Sequence, residues 1–358
     1  MVLFLLIIVL VLAFSYLGLR GENLSYLDSN IIPRPGGDAS DAHREVVASL
    51  KGMSAAGKGV RGKKRVAMLR EYMDSMSDGR DFESEFRTVN HKNLRGEWVL
   101  APGVSPKRRL LYIHGGAWVI GSPKSHRSIT NRLSKVADAA VFSLDYRLLP
   151  EHRRRDGIAD CQQAYRWILA NGPEGPEDLD FLAVAGDSAG GNLTLSVIAW
   201  ARDEGLRAAD AVIAFSPATD VTLTSPSLSR NIETDPMIGP AFGKLIKVPL
   251  IVLWWVSWFT NRINPAEAVV SPLRGDLSGL PPVLVQVSEA EMLYDDARRY
   301  VTKAQAAGSP VVLQSWPHMV HVWQIFNPEL PEANDAYDNI AEFLESVEGK
   351  TLEQVHAA

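Results

Sequence analysis

The run Gly186-Asp187-Ser188-Ala189-Gly190-Gly191-Asn192 places a serine among small residues. It follows Leu182-Ala183-Val184-Ala185, a short apolar strand pattern, and precedes Leu193 to Trp200, a helical one. Strand, Gly-x-Ser-x-Gly and helix together form the context of a nucleophile elbow. A turn this tight needs small neighbours, and Gly186 and Gly190 supply them. The helix start then directs backbone N–H groups toward developing negative charge. The chemistry such a turn serves is attack of the Ser188 hydroxyl on a carbonyl carbon. A bare Gly-x-Ser-x-Gly also occurs as an ordinary turn. The flanking strand and helix and the extra Gly191 favour the catalytic reading.

A second group, His114-Gly115-Gly116-Ala117-Trp118, follows the apolar strand Leu110-Leu111-Tyr112-Ile113. Glycines after an early strand let main-chain N–H groups face an oxyanion. Gly115, Gly116 and the N–H of Ala189 are the expected donors, with Ala117 as a substitute. His114 reads as a hydrogen-bonded residue that orients this loop, and Asp187 as a support beside the nucleophile. Acid and base must follow the serine in this order of elements. After Val283 to Val287 four carboxylates compete: Glu289, Glu291, Asp295 and Asp296. Farther on, His318 and His321 compete as the base, and position alone separates neither set.

These residues need a scaffold, and the rest of the chain outlines one. Phe86 to Val89 and Glu97 to Leu100 read as an antiparallel opening pair. Short apolar strands then recur at 110–113, 140–144, 182–185, 212–215, 283–287 and 311–313, mostly separated by helices. Continuous apolar strands alternating with helices imply an α/β fold: a mostly parallel eight-stranded sheet covered on both faces. Upstream, Asp38 to Leu50 and Lys63 to Met76 have helical periodicity. The interval from Thr219 to Pro281 is too long for a simple crossover and reads as an insertion with its own apolar helix after Pro249.

The chain has 358 residues, 46% apolar, with a net charge of −5. That supports one large core, and the mixed charges offer no stripe for nucleic acid. The single cysteine, Cys161, rules out an intrachain disulfide and reads as a small buried residue. Val2 to Phe14 is an unbroken apolar run, and no charge occurs before Arg20. As a helix, residues 1–19 would span roughly 28 Å against a hydrocarbon core of about 30 Å. No basic residue precedes the run and no Ala-x-Ala follows it, so an uncleaved anchor is favoured over a removed signal. The expectation is a single-pass N-terminal membrane anchor over 1–20, its orientation open, followed by a Pro/Gly linker over 21–37.

With these motifs in view, the chain resembles the hormone-sensitive-lipase-like carboxylesterases of the α/β-hydrolase fold. The resemblance runs from about Arg109 to Phe343. It rests on His114-Gly115-Gly116-Ala117-Trp118, Asp145-Tyr146-Arg147-Leu148-Leu149-Pro150-Glu151-His152, the Ser188 turn, Ser271-Pro272-Leu273 and Gly279-Leu280-Pro281-Pro282. It implies a serine esterase. The family's acid opens an Asp-Pro-Leu-x-Asp-like motif, which matches Glu291-Met292-Leu293-Tyr294-Asp295, and its histidine matches His321-Val322-Trp323. It also implies a lid from 38–81 and 219–269 over a catalytic domain of 82–218 and 270–358. Ala117 stands where the family usually has a third glycine. Arg153-Arg154-Arg155 replaces Phe-Pro-Ala and reads as a solvated turn.

The implied reaction is hydrolysis of a small apolar ester through an acyl-enzyme, with no metal or cofactor. Lactone or amide hydrolysis is the alternative, and a non-catalytic receptor on the same fold is the remote one. In the insertion, Ile251, Trp254, Trp255, Trp258 and Phe259 share one helical stripe. It either packs onto the catalytic domain or meets a bilayer, so membrane lipid is an expected partner through the N-terminus and, on the second reading, the lid.

Overall fold

The structure, a computed structural model, describes residues 2–28, 39–55, 58–92 and 94–356. Eight strands form one sheet: β1 (Glu85–His91), β2 (Leu94–Leu100), β3 (Ser105–Ile113), β4 (Ala139–Leu144), β5 (Phe181–Asp187), β6 (Ala211–Phe215), β7 (Val283–Ser288) and β8 (Val311–Trp316). Their order across the sheet is β1-β2-β4-β3-β5-β6-β7-β8. β2 runs antiparallel to both β1 and β4, and every later pairing is parallel. This is the α/β-hydrolase architecture, with an inserted helical lid.

The continuous apolar strands follow from burial on both faces. In β3, Leu111 and Ile113 face one core while Leu110 and Tyr112 face the other. Helices α5 (Arg154–Ile168), α6 (Ser188–Asp203) and α10 (Tyr294–Ala306) contribute to the first core through residues such as Ile158, Leu193 and Tyr300. Helices α4 (Arg127–Val136) and α11 (Pro331–His356) close the second through Ile129, Leu133, Tyr337 and Ile340. Between β6 and β7 lie the short α7 (Ser227–Arg230), α8 (Gly239–Ile246) and α9 (Leu250–Asn261).

The N-terminal expectation is corrected. Helix α1 (Val2–Ala13) continues as a wider π-helical stretch, Phe14–Leu19. Among the described residues no single helix is long and apolar enough to cross a membrane. Phe4–Leu19 would reach only roughly 24 Å along its axis. Its last turns are also committed to protein. The indole N–H of Trp255 donates to Ser15 Oγ at 2.8 Å, and Asn264 Nδ2 donates to the Gly18 carbonyl at 3.0 Å. The Phe14 ring lies 5.6 Å from that of Trp255 and 5.8 Å from that of Trp258. Composition suggested a span; the segment is instead a short apolar helix whose end docks on α9. The single-pass anchor and the membrane-lipid partner through it are therefore set aside.

The described part of the expected linker is also tied down. Leu24 and Leu27 are buried, and Asp28 pairs with Arg299 at 2.6 Å. Ile31 to Gly37 lies outside the described residues. Upstream of the sheet, α2 (Asp41–Ala55) and α3 (Gly62–Ser75) form where the helical periodicity predicts them.

Candidate active site

Ser188 stands where β5 ends and α6 begins, with φ of +53°. A left-handed serine is costly, and such strain persists only where the surroundings enforce it. The tightness is visible at Gly190, where an added Cβ would sit 1.9 Å from the Ile113 carbonyl oxygen. Ser188 Oγ lies 2.9 Å from His321 Nε2, and His321 Nδ1 lies 3.0 Å from Glu291 Oε2. The histidine is carried by the loop after β8. Its neighbour Val322 is also left-handed, with φ of +53°, and donates its N–H to Ser216 Oγ at 3.3 Å.

Both Glu291 and His321 are buried, and His321 is only 3% exposed. Burial pushes the Glu291 carboxyl above its ordinary range, against the pull of His321. Burial alone would lower the imidazole of His321, but the hydrogen-bonded Glu291 carboxylate overrides it and raises the value. An imidazole flanked by a carboxylate and a hydroxyl can take the serine proton and stabilise the resulting charge.

The competing side chains have other partners. Glu289 accepts from Ser315 Oγ at 2.8 Å. Asp295 pairs with Arg298 at 3.1 Å and accepts from the Ser227 N–H at 2.9 Å. Asp296 accepts from the N–H groups of Thr219 and Asp220. His318 is exposed. Cys161 is buried, and burial pushes its thiol up.

On the oxyanion side, three consecutive residues have positive φ: Gly116 at +106°, Ala117 at +54° and Trp118 at +61°. The Gly115 N–H is donated to Asp187 Oδ1 at 2.9 Å. That donor is committed to Asp187 and not to a substrate, which departs from its expected role. Ala189 lies in the first turn of α6, where backbone N–H groups have no intrahelical acceptor. His114 is fully buried and stacked on Tyr146 at 4.4 Å, and its Nδ1 lies 2.8 Å from the Gly115 carbonyl. Burial and the neighbouring His126 push it down to about 3, which favours the neutral ring.

Three contributors were missed in the sequence. Arg154 is not in a solvated turn: it is 6% exposed, whereas Arg153 and Arg155 are exposed. Its guanidinium lies 3.5 Å over the Trp118 ring and donates to Asn192 Oδ1 at 2.8 Å. The signal was available, since Arg154 shares a helical stripe with buried Ile158, Cys161 and Tyr165. Asn231 and Asp235, both in the insertion, brace the acid loop. Asn231 Nδ2 donates to the carbonyls of Glu289 and Glu291 at 2.8 Å, and Asp235 Oδ2 accepts the Met292 N–H at 2.9 Å. Nothing in their local sequence marks them, because their partners lie more than fifty residues away.

A family model described as alpha/beta hydrolase fold matches residues 110–325. The chain is 35% identical over 266 residues to an acetyl-hydrolase of Streptomyces hygroscopicus, covering 74% of this chain and 83% of that protein. It is 33% identical over 264 residues to an esterase of Acinetobacter venetianus, with the same coverage on both sides. The crystal structure of an esterase from the bacterial hormone-sensitive lipase family superposes with a TM-score of 0.74 at 32% identity, covering 87% of this chain and 99% of that one. Fold and relatives together define a serine-hydrolase-type carboxylic ester hydrolase. The chain belongs to the hormone-sensitive-lipase-like family of α/β-hydrolase esterases.

Proposed function

We propose that the chain hydrolyses small apolar carboxylic esters with Ser188 as nucleophile, His321 as general base and Glu291 as the residue that orients it. The reading is supported above all by the 2.9 Å contact between Ser188 Oγ and His321 Nε2. His321 takes the hydroxyl proton as Ser188 Oγ bonds to the ester carbonyl carbon. N–H groups of Gly116, Ala117 and Ala189 hold the oxyanion. His321 then gives its proton to the leaving alcohol, and water releases the acid from the acyl-serine by the same route. The apolar acyl group is inferred from the apolar composition of the insertion, Leu250–Asn261 above all. The name of one relative, an acetyl-hydrolase, agrees with a small acyl group.

The test is a panel of p-nitrophenyl esters of increasing chain length, with one lactone and one anilide, on the wild type and on Ser188→Ala, His321→Ala and His318→Ala. Turnover should be greatest on esters. It should vanish in Ser188→Ala, fall by about 10⁴-fold or more in His321→Ala, and persist in His318→Ala. Loss in His318→Ala with activity kept in His321→Ala would move the base. A preference for the lactone or the anilide would replace the ester assignment.

A further inference from the structure

Behind the nucleophile lies a buried charged group that the reaction as described does not use. Asp187 precedes Ser188 and is 3% exposed. Its Oδ1 accepts from the Tyr112 hydroxyl at 2.5 Å and from the Gly115 N–H at 2.9 Å. Its Oδ2 faces His126 Nε2 at 3.4 Å. The carboxylate is pressed so closely onto the loop that a Cβ at Gly115 would lie 2.1 Å from Oδ2. One side chain therefore ties the residue before the nucleophile to the loop that carries the oxyanion donors.

The protonation of His126 can be read from its contacts. Ser125 Oγ donates to the Ser122 carbonyl at 2.9 Å, which uses its only proton. His126 Nδ1 lies 2.9 Å from that Oγ and 3.2 Å from the same carbonyl, which can only accept, so a hydrogen on Nδ1 serves both contacts. Nε2 faces a carboxylate oxygen and must carry one as well. Donation from both nitrogens makes the ring an imidazolium, and the Asp187 carboxylate outweighs burial to favour that form.

We propose that His126 is a positioning residue for ester hydrolysis: its imidazolium holds the Asp187 carboxylate ionised and in place, and through it the Gly115–Trp118 loop. This rests on the reading of Ser188 as nucleophile. The two left-handed non-glycine residues of that loop, Ala117 and Trp118, store strain that a loosened anchor would release. Gly116 and Ala117 would then drift from the oxyanion, while ground-state contacts with substrate would change little. The groups facing His126 are Asp187 from β5, Tyr112 from β3 with its ring 6.2 Å away, and His114 with its ring 5.4 Å away. Asp74 from α3 adds a further carboxylate nearby and bonds to the Ser122 hydroxyl. Deprotonation of His126 at alkaline pH should therefore weaken kcat as well.

The test compares wild type, His126→Phe, His126→Gln and Asp187→Asn on a short p-nitrophenyl ester, with thermal midpoints measured in parallel. Labelling of wild-type Ser188 by a fluorophosphonate probe is the independent check of the underlying mechanism. In His126→Phe, kcat should fall by about 10- to 100-fold with KM nearly unchanged, less than the loss of a whole oxyanion donor. The wild-type alkaline limb in kcat should be absent from His126→Gln, which keeps a donor but no titrating charge. His126→Phe combined with Asp187→Asn should be no worse than the poorer single variant. A folded His126→Phe with wild-type kcat would overturn the proposal. If His126→Phe does not fold, His126→Gln decides, and an alkaline limb that persists there overturns it. No labelling at Ser188 in the wild type would instead sink the reading of the nucleophile.

Discussion

Glu291 Oε2 lies 3.0 Å from His321 Nδ1, with both side chains closed off from solvent. A carboxylate in that position stabilises the imidazolium, and the histidine value is raised above its ordinary 6.5. The base works when neutral, so activity should fall as pH drops through the raised value. The acid limb of kcat/KM in the wild type should then lie above that of an ordinary histidine. In Glu291→Gln, burial remains and the attraction is gone, so the limb should move to lower pH. The plateau should drop by about 10³- to 10⁴-fold, as for loss of the orienting acid in other triads. A pH–rate series on both proteins checks the shift, and an unmoved limb would exclude Glu291 from this role.

Arg154 is a buried cation with no carboxylate among its hydrogen-bond partners in the described residues, and burial pushes its guanidinium down to about 9. Burying a charge without an opposite charge to pair with is costly, and an apolar side chain of similar length avoids that cost. Arg154→Met should therefore keep or raise the thermal midpoint. It should lower kcat, because Trp118 loses the guanidinium stacked on its face. A variant that unfolds readily would show instead that the cation is a structural necessity.

Asp296 contacts Asp220 and Ser225, and burial followed by the nearby Asp220 carboxylate raises it to about 7. An unfolded aspartate titrates near 3.9, so between about pH 4 and 7 the folded chain binds more protons than the unfolded one. This group's contribution to stability is thus greatest at low pH and declines as pH rises through the window. Urea midpoints at pH 5 and pH 8 should show a smaller difference in Asp296→Asn than in the wild type.

The N-terminal segment covers part of α9, so removing residues 1–20 should uncover Trp255 and Trp258. Tryptophan emission should shift to the red and the thermal midpoint should fall. The red shift should be smaller when the same deletion is made in a Trp255→Phe background. An unchanged spectrum would mean that the docking contributes little in solution.

The fold was largely legible because its signals are local. Six apolar strands stand out as short runs after the opening pair, and the β5–α6 turn announces itself by its glycines. The site was legible in outline. Four carboxylates shared one stretch, and which of them faces His321 is a matter of where the β7 and β8 loops meet. Residues 1–19 misled because an apolar helix that spans and one that docks have the same composition. The difference lies in Trp254, Trp255 and Trp258, some 240 positions away.

By itself the amino-acid order determined the backbone devices of this protein: the strained turn at Ser188, the glycine loop after β3 and the alternation of strands with helices. Those depend on sterics and hydrogen bonds among residues a few positions apart. Only the tertiary structure decided the partners of charge, pairing Glu291 with His321, setting His126 against Asp187 and folding Arg154 beneath Trp118. Electrostatic and burial effects depend on distance in space, and linear spacing carries little of that distance once the chain has folded back on itself.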